Sequence, residues 1–186
     1  MTYRLPSLLL LLLCFPLLTG CYADELQQDM EREPFFDLAG YIDAQVDSLT
    51  ALDPTVRKTI VLNGVEESKE LDDLRFATDL RLFREADINK PAWLDKYTLA
   101  EEEAQGGGAQ VRVYTATDSS MQTRQLEVTL IDDRPTKIVV LRKTGTVLSD
   151  GTHRLTYDPA LGYDIRTEQV NRFGDDLDAT ITVRWK

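Results

Sequence analysis

The sequence predicts an α+β fold: two N-terminal helices packed with one curved antiparallel meander sheet of about six to eight strands, residues 34–186 forming a single domain. Three observations carry this expectation. Apolar residues recur at helical spacing in the first part of the body, as Leu38, Ile42, Val46 and Leu49 do. From Ala109 onward the pattern changes to strict alternation, with Leu126, Val128 and Leu130 set against Glu127 and Thr129. Short turn signals separate those strands, and links of that length join neighbours in antiparallel fashion.

The first helix is expected from Pro34 to Leu52. Pro34 suits a first turn, where its missing N–H is not needed, and Pro54 disfavours helical backbone at Asp53. Val56–Leu62 and Val65–Lys69 flank Asn63-Gly64, whose two residues tolerate the positive φ of a type I′ turn, so a hairpin follows. Leu71–Glu85 returns to helical spacing through Leu74, Ala77, Leu80 and Phe83. Asp72 and Asp73 stand near its positive end, Arg81 and Arg84 near its negative end. Ile88–Leu94 reads as a turn with Trp93 as an anchor, and Glu101–Gly108 as a loop or the end of a helical turn. Val111 and Val113 then open the strand region. Ile138–Leu141 is apolar on both faces, as a central strand should be, and Leu155 with Tyr157, Tyr163 with Ile165, and Ile181 with Val183 each mark one face of a later strand.

The chain has 186 residues, 32 acidic against 21 basic side chains, and a net charge of −11. Such a surface argues against nucleic acid and against electrostatic docking on anionic lipid, both of which need clustered Lys and Arg. Arg4 precedes an apolar run from Leu8 to Leu18, shorter than the ~20 residues that a spanning helix needs, so residues 1–20 read as a cleaved secretory signal. Cys14 falls inside that signal. Residues 21–33 are polar and read as a flexible tether.

Leu18-Thr19-Gly20-Cys21 resembles the bacterial lipobox. The resemblance implies that cleavage falls before Cys21, that its thiol and freed amine are acylated, and that the protein is held in a membrane by those chains. The folded body then keeps no cysteine for a disulfide or a thiolate site. Tyr22, directly after the cysteine, is not the Asp that retains enterobacterial lipoproteins at the inner membrane, so the outer membrane is implied. Asp24 and Glu25 resemble the acidic stretch that marks surface-exported lipoproteins of the Bacteroidetes group, which leaves a periplasmic or a cell-surface face open. The order of elements also resembles the carriers and receptors of the outer-membrane localisation system, in which a curved sheet with helices on its concave side holds acyl chains.

Few residue patterns point to catalysis. His153 is the sole histidine, it shares strand parity with Leu155 and Tyr157, and no G-x-S-x-G surrounds a serine. One histidine leaves only carboxylates for zinc. The cluster Asp175, Asp176 and Asp178 lacks the EF-hand spacing, and Gly106–Gly108 lacks the Lys-Ser/Thr of a P-loop, so no metal or cofactor is expected. Paired carboxylates acting on glycans leave no local motif and stay open as an alternative. Trp93, Tyr97, Tyr114, Tyr157, Tyr163 and Trp185 suit core packing or a ligand surface. A non-enzymatic binding or accessory module for a protein or a small apolar ligand is the reading that these features favour. Any apolar pocket is expected between helices and sheet, with Leu38, Ile42 and Val46 on one wall, Leu80 and Phe83 beside them, and Val113, Val128 and Val140 opposite.

Overall fold

The computed structural model describes residues 35–103 and 108–186; the expected signal and tether, Pro34, and the expectations for Cys21, Asp24 and Glu25 lie outside them. Residues from Phe35 to Lys186 form one compact unit. Helix α1 spans Leu38–Leu52. It starts at Asp37, whose carboxylate accepts the Gly40 N–H at 2.9 Å, and it stops at Asp53 in left-handed backbone just before Pro54. The hairpin of β1 (Val56–Leu62) and β2 (Val65–Leu71) follows. Its turn has φ of 48° at Asn63 and 84° at Gly64, as the type I′ geometry requires.

The expected helix over Leu71–Glu85 is corrected to two short pieces, α2 (Phe76–Asp79) and α3 (Arg81–Glu85). Leu71 belongs to β2, where it pairs with Val56, and Asp72 accepts the Thr55 hydroxyl at 2.7 Å, so the chain enters the helices only after a short link. A single 3-10 turn at Pro91–Trp93 leads to β3 (Tyr97–Glu103). Here the glutamates expected in a loop or helical turn form a strand instead. Glu101 lies opposite Arg112 with its carboxylate 3.0 Å from the guanidinium, and charged side chains are well suited to an edge strand.

The remaining strands are β4 (Ala109–Ala116), β5 (Thr123–Ile131), β6 (Arg134–Gly145), β7 (Ser149–Asp158), β8 (Gly162–Asn171) and β9 (Leu177–Trp185). These nine make one open antiparallel sheet in the order β2-β1-β9-β8-β7-β6-β5-β4-β3. The count exceeds the expected six to eight. From β3 to β9 the sheet is a simple meander; the N-terminal hairpin then adds to its far side, β1 against β9.

Directly opposed residues share a face, so the pairings trace which side chains meet the helices. Ile138, Tyr157, Tyr163, Val183 and Lys58 form one such row, and Leu126, Val140, Leu155, Ile165 and Ile181 the next. The helices pack on this face. Phe83 of α3 stands edge-on to Tyr157 and Tyr163, with centroids 5.9 and 6.1 Å away, and Phe76 meets Trp185 at 5.8 Å. The opposite face carries Glu127, Val139, Thr156, Asp164, Thr182 and Thr59, polar except at the central strand, where Val139 is buried as expected of a stretch apolar on both faces.

Burial also protects phenols from ionising. Tyr97 is pushed up to about 12, chiefly by loss of solvent, and Tyr114, Tyr157 and Tyr163 are raised for the same first reason. An unfolded chain loses these protons near pH 10, so the fold holds more protons than the unfolded state above that value. Stability is therefore expected to be level up to about pH 10 and then to fall, by up to about 1.4 kcal/mol per pH unit for each protected tyrosine. Melting curves between neutral pH and about pH 12 check this. Tyr97→Phe should make the decline shallower.

Candidate functional site

The helix-facing side of the sheet, largely apolar, carries a buried arginine among its strand residues. Arg142 follows Ile138 and Val140 at strand spacing, so the pleat that buries those two also turns Arg142 inward. Thr123 and His153 lie opposite it on either side, and Thr167 opposite His153, which makes a polar band across the sheet. The members of this band are bonded to their surroundings. The Thr123 hydroxyl donates to Ala86 O at 3.0 Å and so ties the chain after α3 to β5. His153 has Thr144 Oγ1 at 3.1 Å from Nε2 and Thr167 Oγ1 at 3.0 Å from Nδ1. Burial, and then the Arg142 charge, push its pKa below the ordinary histidine value, so the ring is neutral at pH 7. With two threonine hydroxyls as its hydrogen-bond partners, His153 has no carboxylate to orient it among the described residues.

Arg142 is 8% exposed. Its Nη2 donates to Gln122 Oε1 at 3.1 Å, and Nη1 reaches Leu82 O only at 3.5 Å. Glu85 Oε2 is 4.0 Å from Nη1, and Nε is buried without a partner among the described residues. Beside this guanidinium lies a cavity of about 320 Å³. Arg142 and Thr123 come to it from strands and Ser120, Met121 and Gln122 from the end of the β4–β5 connection. Glu85 comes from α3 and Trp93 from the 3-10 turn. Asp118 shapes the connection by accepting both the backbone N–H and the hydroxyl of Ser120, each at 2.8 Å. Those bonds are the leading reason that its carboxyl titrates below the ordinary range. Lys90 Nζ lies 4.0 Å from the Trp93 ring centroid, a cation–π contact that helps to fix the indole. The lining therefore combines one buried cation, one half-exposed anion, an aromatic ring and a thioether, together with the Ser120 hydroxyl that is bonded to Asp118.

The residues singled out from sequence are distributed differently. Leu38, Phe83, Val128 and Val140 are fully buried in the common core. Ile42, Val46 and Leu80 line a separate recess of about 250 Å³ with Asp43, Ala77 and Arg84, all of them helix or inter-helix residues. Val113 stands opposite Glu127, on the face away from the helices, because Tyr114 takes the inward position. The Tyr114 hydroxyl accepts the Phe36 N–H at 3.3 Å and its ring packs on Phe35 at 5.5 Å, which outweighs burying a valine. Of the aromatic candidates, Trp93 reaches the cavity, while Tyr97, Tyr114, Tyr157 and Tyr163 are buried in the core and Trp185 packs against it. Sequence reasoning does not single out Arg142 or Glu85. The available signal is parity: a charge two residues after Val140 and four after Ile138, on the face that those two bury.

Among Asp175, Asp176 and Asp178, two are engaged with Asn171: Asp176 accepts its N–H at 2.8 Å and the Asp175 carbonyl accepts its side-chain amide at 2.6 Å. Among the described residues no group of three or more His, Cys, Asp or Glu is placed to hold a metal ion, and no helix is long and apolar enough to cross a membrane. No family model, curated protein or solved structure matches the chain.

Proposed function

We propose that this is an exported outer-membrane lipoprotein, anchored through acylated Cys21, whose body is a non-enzymatic binding module. The observation that carries the proposal is Leu18-Thr19-Gly20-Cys21 at the end of the short apolar run that follows Arg4. The net charge of −11 supports attachment by acyl chains over attachment by surface charge. Each buried CH₂ contributes about 0.8 kcal/mol, and two or more chains together hold a protein stably where one does not. The binding role is supported by a cavity whose lining combines opposite charges with aromatic surface. A small molecule or a partner that reaches this cavity from the periplasm or the cell surface is the expected ligand.

Substituting Cys21→Ser is expected to abolish incorporation of labelled fatty acid and to move the protein from the detergent fraction to the soluble exported fraction. A substituted chain that still requires detergent, when freed of binding partners, would refute the anchor.

A further inference from the structure

A guanidinium on the buried face of a sheet is costly unless its charge and its donors are matched. Arg142 is incompletely matched by its own fold. Nε has no partner among the described residues, Nη1 sits at the limit of hydrogen bonding from Leu82 O, and the carboxylate that it meets is 4.0 Å away. That carboxylate, on Glu85, is also 3.7 Å from Arg81 and its side chain is 47% exposed, so it is free to turn from Arg142 toward a different cation.

We propose that the cavity beside Arg142 binds a small zwitterion, an α-amino acid with an apolar side chain, its carboxylate held by Arg142 and its ammonium by Glu85. This deepens the binding-module reading and is independent of the anchor. The two charged residues of the lining have opposite sign. A simple anion drawn to Arg142 therefore meets repulsion from Glu85, and a simple cation meets it from Arg142, whereas a ligand with both charges is attracted by both. Glu85 and Arg142 approach to 4.0 Å, so the opposite charges of the ligand must also be near neighbours. In an α-amino acid one carbon separates them. A planar carboxylate matches the planar donor set of a guanidinium better than a compact ion does. Trp93 and Met121 offer the apolar surface for the side chain. A volume of about 320 Å³ is at the small end for ligand sites, which suits a molecule of this size and is too little for a lipid acyl pair or a folded peptide.

The test uses the purified full-length protein in detergent, titrated with L-phenylalanine and L-leucine by calorimetry and by tryptophan fluorescence. Two analogues accompany them: 3-phenylpropionate, which lacks the ammonium, and phenethylamine, which lacks the carboxylate. Saturable binding of both amino acids at one site is expected, with each analogue weaker by about tenfold or more. Glu85→Gln and Arg142→Met should each weaken phenylalanine by a similar factor, about tenfold. Glu85 is on the surface, so its variant keeps the test open even where Arg142→Met lowers stability. Absence of saturation by either amino acid overturns the proposal. Equal binding of 3-phenylpropionate, or unchanged phenylalanine binding in Glu85→Gln, also overturns it by showing a site for a plain carboxylate. Lipidation at Cys21 is read out separately by fatty-acid labelling, so failure of the anchor and failure of this site are distinct results.

Discussion

Replacing Gly162 with alanine is expected to destabilise the domain by more than about 3 kcal/mol, a fall of roughly 10 °C in melting temperature. Gly162 opens β8 with φ at 135°, a backbone conformation that L side chains rarely adopt. The steric demand is more severe than the torsional one. A Cβ at this position would lie 2.0 Å from Val183 O and 3.0 Å from Arg184 Cα. Those are backbone atoms of β9, which is hydrogen-bonded to β8 on one side and to β1 on the other, so they cannot retreat without breaking a ladder. The turn before Gly162 is also strapped to the end of β9. Trp185 N–H donates to Leu161 O at 3.1 Å and its indole N–H to Pro159 O at 3.2 Å. Gly174→Ala is the control, since Gly174 also has positive φ, 83°, yet a methyl group there would meet nothing within 4 Å among the described residues. It should cost about 1 kcal/mol, the strain alone. Denaturant unfolding of both variants separates the effects, and equal costs would show that β8 and β9 do not approach so closely.

That close approach is not readable from sequence, because a glycine at the start of a strand looks the same whether or not another backbone crosses it. The legible features are those decided by neighbours in the chain. Asn63-Gly64 forms its turn because both residues accept positive φ, and α1 stops where Pro54 makes continuation unfavourable. Alternation identifies Leu126, Val128 and Leu130 as one buried set. The features that escape such reasoning depend on distant partners. Glu101 is a strand residue because β3 pairs with β4, which sets it beside Arg112, and Val113 faces away because Tyr114 finds Phe35 and Phe36. The placement of β1 against β9 joins segments from opposite ends of the domain, for which no local spacing gives a sign. The candidate site has the same character: parity turns Arg142 inward, but only the fold brings Glu85, Trp93 and Met121 to its side.

Asp79→Ala is expected to cost about 2–4 kcal/mol, because this one carboxylate anchors a helix that cannot stand by itself. Helix α2 has four residues and α3 has five, far below the length at which a helix is stable in water, so tertiary contacts must hold both in place. Asp79 Oδ2 accepts from Lys58 Nζ on β1 and from the Tyr163 hydroxyl on β8, each at 2.5 Å. Tyr163 is 1% exposed and the Lys58 side chain 19%, so neither recovers full hydration when the carboxylate is removed. Much of the cost then comes from the stranded ammonium, which can be tested by removing it as well. In the double variant Asp79→Ala with Lys58→Met, stability should return by about 1–2 kcal/mol relative to Asp79→Ala alone. Asp79→Asn should fall between the wild type and Asp79→Ala, since an amide oxygen still accepts the Tyr163 hydroxyl but no longer balances Lys58. Urea unfolding of the three variants decides the matter: a double variant no more stable than Asp79→Ala would locate the loss in the Tyr163 hydroxyl and remove the ion pair from the account of how the helices are held.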